Sequence, residues 1–466
     1  MSAIEVARGS FRDPSGFVYT RDGTLYRQVN RTFAADFDAV AASGLFEELA
    51  AAGLLVAHEM ESPALAATES AHAVLRPEKL PFISYPYEWS FGQLRDAALL
   101  TLDLQRRALE RGFTLRDASA YNVQFRDGRP VFIDTLSIGR HAEGTPWVAY
   151  KQFCEHFLVP LALMAHTDVR CGLLLRQFID GVPLDLGSRL LPTRTRLSPS
   201  LALHVHLHAR AQRKYEHADV QSVAGGRRMS RSALLNFVTS LRDAVEGLSW
   251  TPAGTEWADY TSDNNYTDRA HEAKKALVRD LVAPLKPRVA WDLGANTGIF
   301  SRVLRDAGVP TVMSFDIDPA AVERNYREIK RSGERGVTPL VLDLTNPSPA
   351  QGWAHDERMS LANRGPADVV IALAIVHHLA ISNNVPLERV AAFLARLGRS
   401  LVIEFVPKSD SQVKRLLTNR EDVFPTYTRD GFEEAFAYHF ALVDRRPVEE
   451  SERWIYLFQR RDPELP

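Results

Sequence analysis

Between residue 270 and the C-terminus, short apolar runs alternate with longer amphipathic segments. The five clearest runs begin at Val289, Val312, Leu340, Val369 and Leu401. They have the length of buried strands, and the intervening segments of about 15 to 25 residues are long enough for crossover helices. This rhythm predicts an α/β fold in which a doubly wound, mainly parallel sheet carries helices on both faces.

The composition excludes several classes of protein. Hydrophobic residues make up 45% and charged residues 24% of the 466 residues, which is typical of a globular chain and not of a disordered one. The net charge of -2 provides no general attraction to nucleic acid, so no nucleic-acid partner is expected. The two cysteines, Cys154 and Cys171, are too few for a thiolate zinc site or a disulfide framework, so no metal site is expected.

The chain also lacks the patterns of export and membrane insertion. Its first residues contain no apolar signal region, and no apolar run approaches the roughly 20 residues of a spanning helix. These patterns, together with the low cysteine content, predict a cytoplasmic protein without a transmembrane segment.

Polar residues and glycines come directly after the first two apolar runs. Asp292 ends the first run, and Gly294 and Gly298 stand between it and an amphipathic segment. The glycines allow a sharp turn and a close approach of a ligand to the backbone. Asp316 ends the second run, where a carboxylate is suited to accept hydrogen bonds from ribose hydroxyls. An acid before the glycines disfavours a pyrophosphate but tolerates a cationic nucleoside that carries an amino acid.

The next three runs also lead into polar groups. Asp343 follows the third run, where it can accept from an adenine amino group. The fourth run continues into His377 and His378, and Glu404 ends the fifth. Since the carboxyl ends of parallel strands meet at one edge of a sheet, these groups are expected to form one site.

Residues 289 to 406 resemble class I S-adenosylmethionine-dependent methyltransferases. The resemblance implies S-adenosyl-L-methionine as cofactor and a Rossmann-like seven-stranded sheet whose last strand, Arg453 to Phe458, is antiparallel. The corresponding domain would span residues 255–466. The residues that the resemblance assigns to the cofactor are Asp292, Gly294, Asn296, Gly298, Asp316, Ile317, Asp343 and Leu344. Tyr260, Asn265 and Tyr266 precede the sheet and are candidates for a segment that closes over the cofactor.

The double histidine contains the candidate catalytic base. Methyl transfer needs in-line positioning, and it needs a base when the acceptor is a hydroxyl or an ammonium group. His378 is the favoured base, with His377 as the other candidate and Glu404 behind them. If strand geometry persists, consecutive residues cannot both face the site. The alternative is that a histidine caps the next helix or packs under the cofactor.

The segment after the fourth run narrows the choice of methyl acceptor. The sequence from Ala374 to His377 replaces the Asn/Asp-Pro-Pro-Tyr signature of methyltransferases that act on planar amino groups. A hydroxyl of a glycan, a glycolipid or a small metabolite therefore remains the expected acceptor. Residues 343–349, the double histidine and residues 403–410 resemble nodulation-type methyltransferases of bacteria, whose context is the modification of a glycolipid.

The first 250 residues have different patterns. Residues 1–150 mix strands and helices, with a hairpin turning on Asp22-Gly23, helical spacing over 33–54, two extended segments within 71–87 and a helix from Ser90 to Arg111. Residues 151–250 are predicted to form a helical lobe and a linker.

A phosphotransferase-like pattern lies within this part of the chain. Asp117 is followed by Asn122, and Asp134 ends a short hairpin, which is the order of the catalytic and Mg²⁺-binding residues of kinases. Residues 17–180 therefore resemble a degenerate protein-kinase-like or aminoglycoside-phosphotransferase-like α+β fold. The glycine-rich loop and the phosphate-binding lysine are absent. Arg27 is the substitute for that lysine, with Glu47 or Glu48 as its expected partner.

The sequence supports three hypotheses for the whole chain. In the first, the chain is a methyltransferase whose kinase-like part recognises the substrate. In the second, it is a bifunctional enzyme that binds Mg-ATP, phosphorylates a hydroxyl and then methylates. In the third, it is a non-catalytic scaffold that binds S-adenosylmethionine or a nucleotide.

Overall fold

The computed structural model describes residues 4–215, 228–252, 267–418 and 421–461. The chain forms two compact units. The N-terminal unit comprises Met1–Thr251 and also Gly352–Glu357, and the C-terminal unit comprises Pro252–Gln351 and Arg358–Pro466. Among the described residues, no helix is both long and apolar enough to cross a membrane.

The N-terminal unit contains a five-stranded antiparallel sheet with the order β1-β2-β3-β5-β4. The hairpin predicted at Asp22-Gly23 is confirmed, because Arg21 pairs with Thr24 and both turn residues have positive φ angles of 51° and 78°. The strands of this sheet are β1 Ile4–Val6, β2 Gly16–Arg21, β3 Thr24–Asn30, β4 His58–Glu61 and β5 Ala71–Pro77.

The predicted helices of this region are also present. The helical pattern over residues 33–54 is confirmed as α1 (Ala34–Ala42) and α2 (Leu45–Ala51), which are separated at Gly44, where φ is 71°. Helix α3 (Phe91–Glu110) begins after Ser90, whose hydroxyl accepts from the Gln93 backbone N–H. The second extended segment expected within 71–87 forms no strand: Tyr85 is extended, with φ -120° and ψ 151°, and the 3₁₀ turn Pro86–Glu88 follows it.

Short strand pairs and helices complete the N-terminal unit. β6 (Phe113–Leu115) pairs with β9 (Ile138–Arg140), and β7 (Val123–Arg126) pairs with β8 (Arg129–Phe132). The helical region predicted after residue 150 contains two π-helical segments, Cys154–Leu158 and Ala202–Leu207. Its α-helices are α4 Tyr150–Phe153, α5 Val159–His166, α6 Leu174–Gln177, α7 Leu184–Leu190, α8 Pro199–Leu201, α9 His208–Tyr215 and α10 Arg231–Glu246.

The C-terminal unit is built on a seven-stranded sheet with the order β12-β11-β10-β13-β14-β16-β15. The first five strands of that order are mutually parallel. The antiparallel last strand implied by the resemblance is confirmed, since β16 runs antiparallel to both β14 and β15. The strands are β10 Val289–Leu293, β11 Thr311–Asp316, β12 Val337–Val341, β13 Ala367–Ala372, β14 Gly398–Phe405, β15 Phe440–Pro447 and β16 Trp454–Arg460.

Strand β15 was not among the predicted strands. It is largely exposed at the edge of the sheet, and its apolar residues Phe440–Val443 lead directly into Asp444, Arg445 and Arg446, so half of the strand is not apolar. The central strands are apolar because helices cover both faces of a doubly wound sheet, and Val369, Ile371 and Val402 are fully buried in its core. The helices of this unit are α11 Asp268–Val282, α12 Ile299–Asp306, α13 Pro319–Ser332, α14 Leu387–Leu397, α15 Ser411–Leu417 and α16 Arg429–Ala437.

Candidate functional site

The turn after β10 is shaped by its two glycines. Gly294 and Gly298 have φ angles of 75° and 81°, and Asn296 between them also lies in the left-handed region at 51°. The backbone N–H groups of Gly294 and Ala295 both donate to the Phe315 carbonyl at 2.9 Å. A Cβ atom at Gly298 would come within 2.4 Å of the Asn325 side-chain amide, so a larger residue would have to displace that side chain.

Asp316 lies directly beside this turn, at the carboxyl end of β11. Its Oδ2 accepts from the Asn296 backbone N–H at 2.7 Å, and its Oδ1 accepts from the Asp318 backbone N–H at 2.8 Å. Burial raises the pKa of the Asp316 carboxyl to about 6, against the opposing effect of these bonds. Ile317, next in the chain, exposes 54% of its surface and provides an apolar face beside the carboxylate.

Asp292, at the end of β10, is the second acid of this site. It is buried, and its Oδ2 accepts from the Ser301 hydroxyl of α12 at 2.7 Å. Burial, helped by the neighbouring Asp316, raises the pKa of Asp292 to about 7, whereas Ser301 and Lys274 act in the opposite direction. The site thus has two adjacent carboxyl groups that a cation would hold in the ionised form.

Asp343 and Leu344 lie just beyond the end of β12, and both are half-buried. Asp343 Oδ1 accepts from the backbone N–H and from the hydroxyl of Thr345, at 2.8 and 2.6 Å. The carboxylate is therefore held by its own turn at the same edge of the sheet as Asp316. The lid candidates Tyr260, Asn265 and Tyr266 lie outside the described residues.

The two histidines do not continue the strand, so the strand geometry considered for them is wrong. β13 ends at Ala372, Ala374 turns the chain with a φ of 54°, and the His378 N–H donates to the Ile375 carbonyl at 3.0 Å. Both histidines therefore lie on a helical turn, which passes into a π-helical segment, His378–Ser382. π-helical segments are frequent at functional sites. The sequence around the two histidines did not indicate this one.

The histidines differ in access. His377 is fully buried, and neither of its ring nitrogens has a hydrogen-bond partner among the described residues. His378 is half-buried, and its ring lies 4.2 Å from that of His377 between centroids. Burial lowers the pKa of both rings, and Arg453 adds to the effect for each. Both histidines are therefore neutral near neutral pH, and His378 is the more accessible.

Glu404 is an ion-pair partner, and this geometry does not support the catalytic role expected for it. Its carboxylate is fully buried, with Oε2 2.6 Å from Lys274 Nζ and Oε1 3.6 Å from Arg453. Arg453 also binds Asp410 at 2.8 Å. The sequence analysis did not identify Lys274, which occupies a buried position of the amphipathic helix α11. A lysine at a position of the helical pattern that faces the core would have indicated a buried ion pair.

In the N-terminal unit, the phosphotransferase-like residues do come together. The Arg27 guanidinium donates to Asp134 Oδ1, and the Ser137 hydroxyl donates to Asp134 Oδ2. Asn122 Nδ2 donates to Ser137 Oγ at 3.4 Å. Burial and the charge of Asp134 raise the pKa of Asp117, whose Oδ1 accepts from the Ser119 backbone N–H at 2.8 Å. These contacts define a polar cluster of Arg27, Asp117, Asn122, Asp134 and Ser137.

The partner expected for Arg27 is corrected by this geometry. Glu48 instead pairs with Arg107 and Arg111, while Glu47 is exposed on α2. Arg27 lies on β3 and reaches a residue 107 positions further along the chain, which no local pattern could indicate.

The comparisons with known proteins give one extensive match. The chain is 38% identical over 463 residues to nodulation protein NoeA of Rhizobium meliloti (strain 1021), covering 97% of this chain and 95% of that protein. No protein-family model matches the chain.

Solved structures resemble less than half of the chain. The N-methyltransferase NodS of Bradyrhizobium japonicum WM9, in complex with S-adenosyl-L-homocysteine, is 10% identical, covers 45% of this chain and all of its own, and has a TM-score of 0.33. The magnesium protoporphyrin IX methyltransferase ChlM of Synechocystis PCC 6803 is 17% identical, covers 44% of this chain and 93% of its own, and has a TM-score of 0.31. Similarities at this level identify neither the reaction nor the methyl acceptor, which have to be inferred from the chemistry of the site.

Proposed function

The chain belongs to the family of nodulation protein NoeA, and we propose that it is an S-adenosylmethionine-dependent methyltransferase that acts on a hydroxyl of a glycan, a glycolipid or a small metabolite. The observation that carries the proposal is the position of the Asp316 carboxylate, which is bonded to the glycine turn between Gly294 and Gly298 at the carboxyl edge of the sheet. Open α/β sheets bind their ligands at this edge.

The donors and acceptors at this edge fit the cofactor. Asp316 keeps lone pairs for the two ribose hydroxyls, and the exposed Ile317 suits one face of an adenine. In this proposal Asp343 accepts a hydrogen bond from the adenine amino group. The adjacent carboxyl groups of Asp292 and Asp316 suit a ligand that carries positive charge at its sulfonium and ammonium groups.

The chain's own residues then act on the acceptor. When bound, S-adenosylmethionine supplies an electrophilic methyl group on sulfur. In this proposal His378 accepts the proton of the acceptor hydroxyl at a ring nitrogen as the new carbon–oxygen bond forms and the carbon–sulfur bond breaks. Since burial lowers its pKa, His378 is unprotonated near neutral pH and is ready for this role.

The first test of the assignment is the binding of S-adenosylhomocysteine. We expect the full chain to bind it in the micromolar range by calorimetry. Asp316→Ala should weaken this binding about 10- to 100-fold, because a hydrogen bond to a charged group contributes about 1.5–3 kcal/mol. Asp280→Ala, at an exposed acid of α11, is the matched control. A folded wild-type protein that fails to bind the ligand would refute the methyltransferase proposal.

The raised pKa values of the two acids predict a pH dependence of cofactor affinity. The ribose hydroxyls and the cationic groups need ionised carboxylates, whereas the free protein holds protons on Asp316 up to about pH 6 and on Asp292 up to about pH 7. Affinity should therefore rise with pH through this interval and become constant above it. Calorimetry in buffers of different ionisation heat should show that binding of the ligand below pH 7 releases protons from Asp292 and Asp316. Asp316→Asn should remove the part of the profile near pH 6; an unchanged profile would contradict this assignment.

For the N-terminal unit we propose a role in substrate recognition. The polar cluster does not fit Mg-ATP, because both carboxylate oxygens of Asp134 already accept bonds from Arg27 and Ser137 and its charge is balanced by Arg27. The bifunctional kinase and methyltransferase hypothesis remains the second candidate, since Asp117, Asn122 and Asp134 are nevertheless neighbours.

The substitution Asp134→Asn separates these two candidates. It keeps the size of the side chain and removes the charge that a metal-bound nucleotide would require. We expect unchanged S-adenosylhomocysteine binding, retained methyl transfer and no heat with Mg-ATP in either protein. Heat with Mg-ATP that is present in the wild type and lost in Asp134→Asn would favour the bifunctional enzyme.

A further inference from the structure

Five leucine side chains are exposed in the described helical part of the N-terminal unit, and four of them lie within residues 190–207. Leu197 exposes 86%, Leu203 49%, Leu207 51% and Leu190 43% of its surface. Leucine is usually buried, and scattered single exceptions are normal, but a group of exposed apolar side chains marks a site of interaction.

The elements that carry these leucines are bonded to one another. Leu203 and Leu207 are four residues apart in one helical segment, so they lie on the same face. The buried ring of His206, beside them, hydrogen-bonds with Ser188 of α7 at 2.8 Å and with Thr195 at 2.9 Å. Leu190 ends α7 and Leu197 ends the 3₁₀ turn of Thr195, so the four leucines lie on neighbouring elements that His206 links, and together they are called here the leucine surface.

The leucine surface is surrounded by positive charge. Residues 184–211 contain four arginines and a single acid, Asp185, which lies 3.4 Å from Arg189. Arg196 directly precedes Leu197, and Arg210 follows Leu207 by three residues, about one helical turn, so both cations are neighbours of exposed leucines along the chain. Within the described part of the chain, neither arginine forms an ion pair.

We propose that the leucine surface docks on the interfacial region of an anionic lipid bilayer. The leucines would enter the boundary between headgroups and acyl chains, while Arg196 and Arg210 extend to the lipid phosphates. A symmetric dimer of this chain is disfavoured as the occupant, because it would bring the same arginines against each other. This proposal does not depend on the methyltransferase assignment.

Vesicle sedimentation with the full chain tests the proposal. We expect binding to vesicles of equal parts phosphatidylglycerol and phosphatidylcholine, and little binding to phosphatidylcholine alone. Arg196→Gln/Arg210→Gln should weaken binding about 30-fold at low salt, since each arginine at an anionic surface contributes about fivefold. Leu203→Ser/Leu207→Ser should weaken it about tenfold or more, because two leucines no longer enter the bilayer.

Two control variants test whether the loss of vesicle binding is specific to the leucine surface or follows from removing any exposed leucine or arginine. Leu442→Ser replaces a similarly exposed leucine on β15, and Arg129→Gln replaces an exposed arginine on β8; both should bind vesicles as the wild type does. All six positions are exposed, so folding should be retained, and unchanged circular dichroism would verify it.

Several outcomes would overturn the proposal. Wild-type protein that remains in the supernatant with anionic vesicles would do so, as would double variants that bind as strongly as the wild type. A dimer in analytical ultracentrifugation that Leu203→Ser/Leu207→Ser dissociates would assign the surface to a second copy. Binding that is equal on neutral and anionic vesicles would remove the role of the arginines.

Discussion

Replacing His378 with glutamine is expected to lower the rate of methyl transfer about 100- to 10,000-fold, the usual contribution of a positioned base. Glutamine has a similar size but cannot accept the hydroxyl proton. The affinity for S-adenosylhomocysteine should stay unchanged, because His378 is proposed to act on the acceptor and not on the cofactor. The measurement is the transfer of labelled methyl groups to a panel of free and lipid-linked oligosaccharides.

The pH profile and a matched variant complete this experiment. Since the lowered pKa of His378 keeps the ring neutral, wild-type activity should fall only on the acid side of the ordinary histidine range. His439→Gln, at a partly exposed histidine just before β15, should retain full activity. If His378→Gln transfers methyl groups at the wild-type rate, the base lies elsewhere. Equal loss of S-adenosylhomocysteine binding would instead indicate that His378 supports the cofactor.

Replacing Lys274 with methionine is expected to destabilise the C-terminal unit by about 3–5 kcal/mol, the usual effect of removing one partner of a buried ion pair. Lys274 Nζ lies 2.6 Å from Glu404 Oε2, and both side chains are buried. Without Lys274, Glu404 loses its ion pair at 2.6 Å, and Arg453, 3.6 Å from Glu404, is also bound to Asp410. Urea unfolding of the full chain measures this change in the free energy of unfolding. The transition that belongs to the C-terminal unit is identified as the one that S-adenosylhomocysteine moves to higher urea concentration.

Two further variants test whether the loss of stability comes from breaking the buried ion pair and not from the removal of a lysine in general. Lys275→Met removes the neighbouring partner of Glu272, a surface pair at 2.8 Å, and should leave the stability nearly unchanged, because exposed ion pairs contribute little. Lys274→Met/Glu404→Gln removes both buried charges and should recover most of the loss, because no carboxylate is left unpaired. A single Lys274→Met variant as stable as the wild type would show that the buried pair does not support the fold.

The central sheet of the C-terminal unit could be predicted because its signals are local. Each buried strand is a short apolar run, and the glycines at 294 and 298 stand where the backbone adopts positive φ angles. Edge strand β15 escaped prediction because an exposed edge carries charged residues such as Arg445 and Arg446. In the N-terminal unit, capping by Ser90 and the turn at Asp22-Gly23 were equally local and were predicted correctly.

The sequence by itself determined the central strands of the C-terminal unit, their alternation with helices and the acids that end those strands, because periodicity and turn residues act over a few positions. Only the tertiary structure decided which residues these acids contact, and the same holds for Asp134 in the N-terminal unit. It paired Glu404 with Lys274, 130 residues away, and Asp134 with Arg27, and it placed the histidines on a helical turn. Such pairs depend on which surfaces meet after the chain has folded, and burial then sets their charges. No local pattern carries that information.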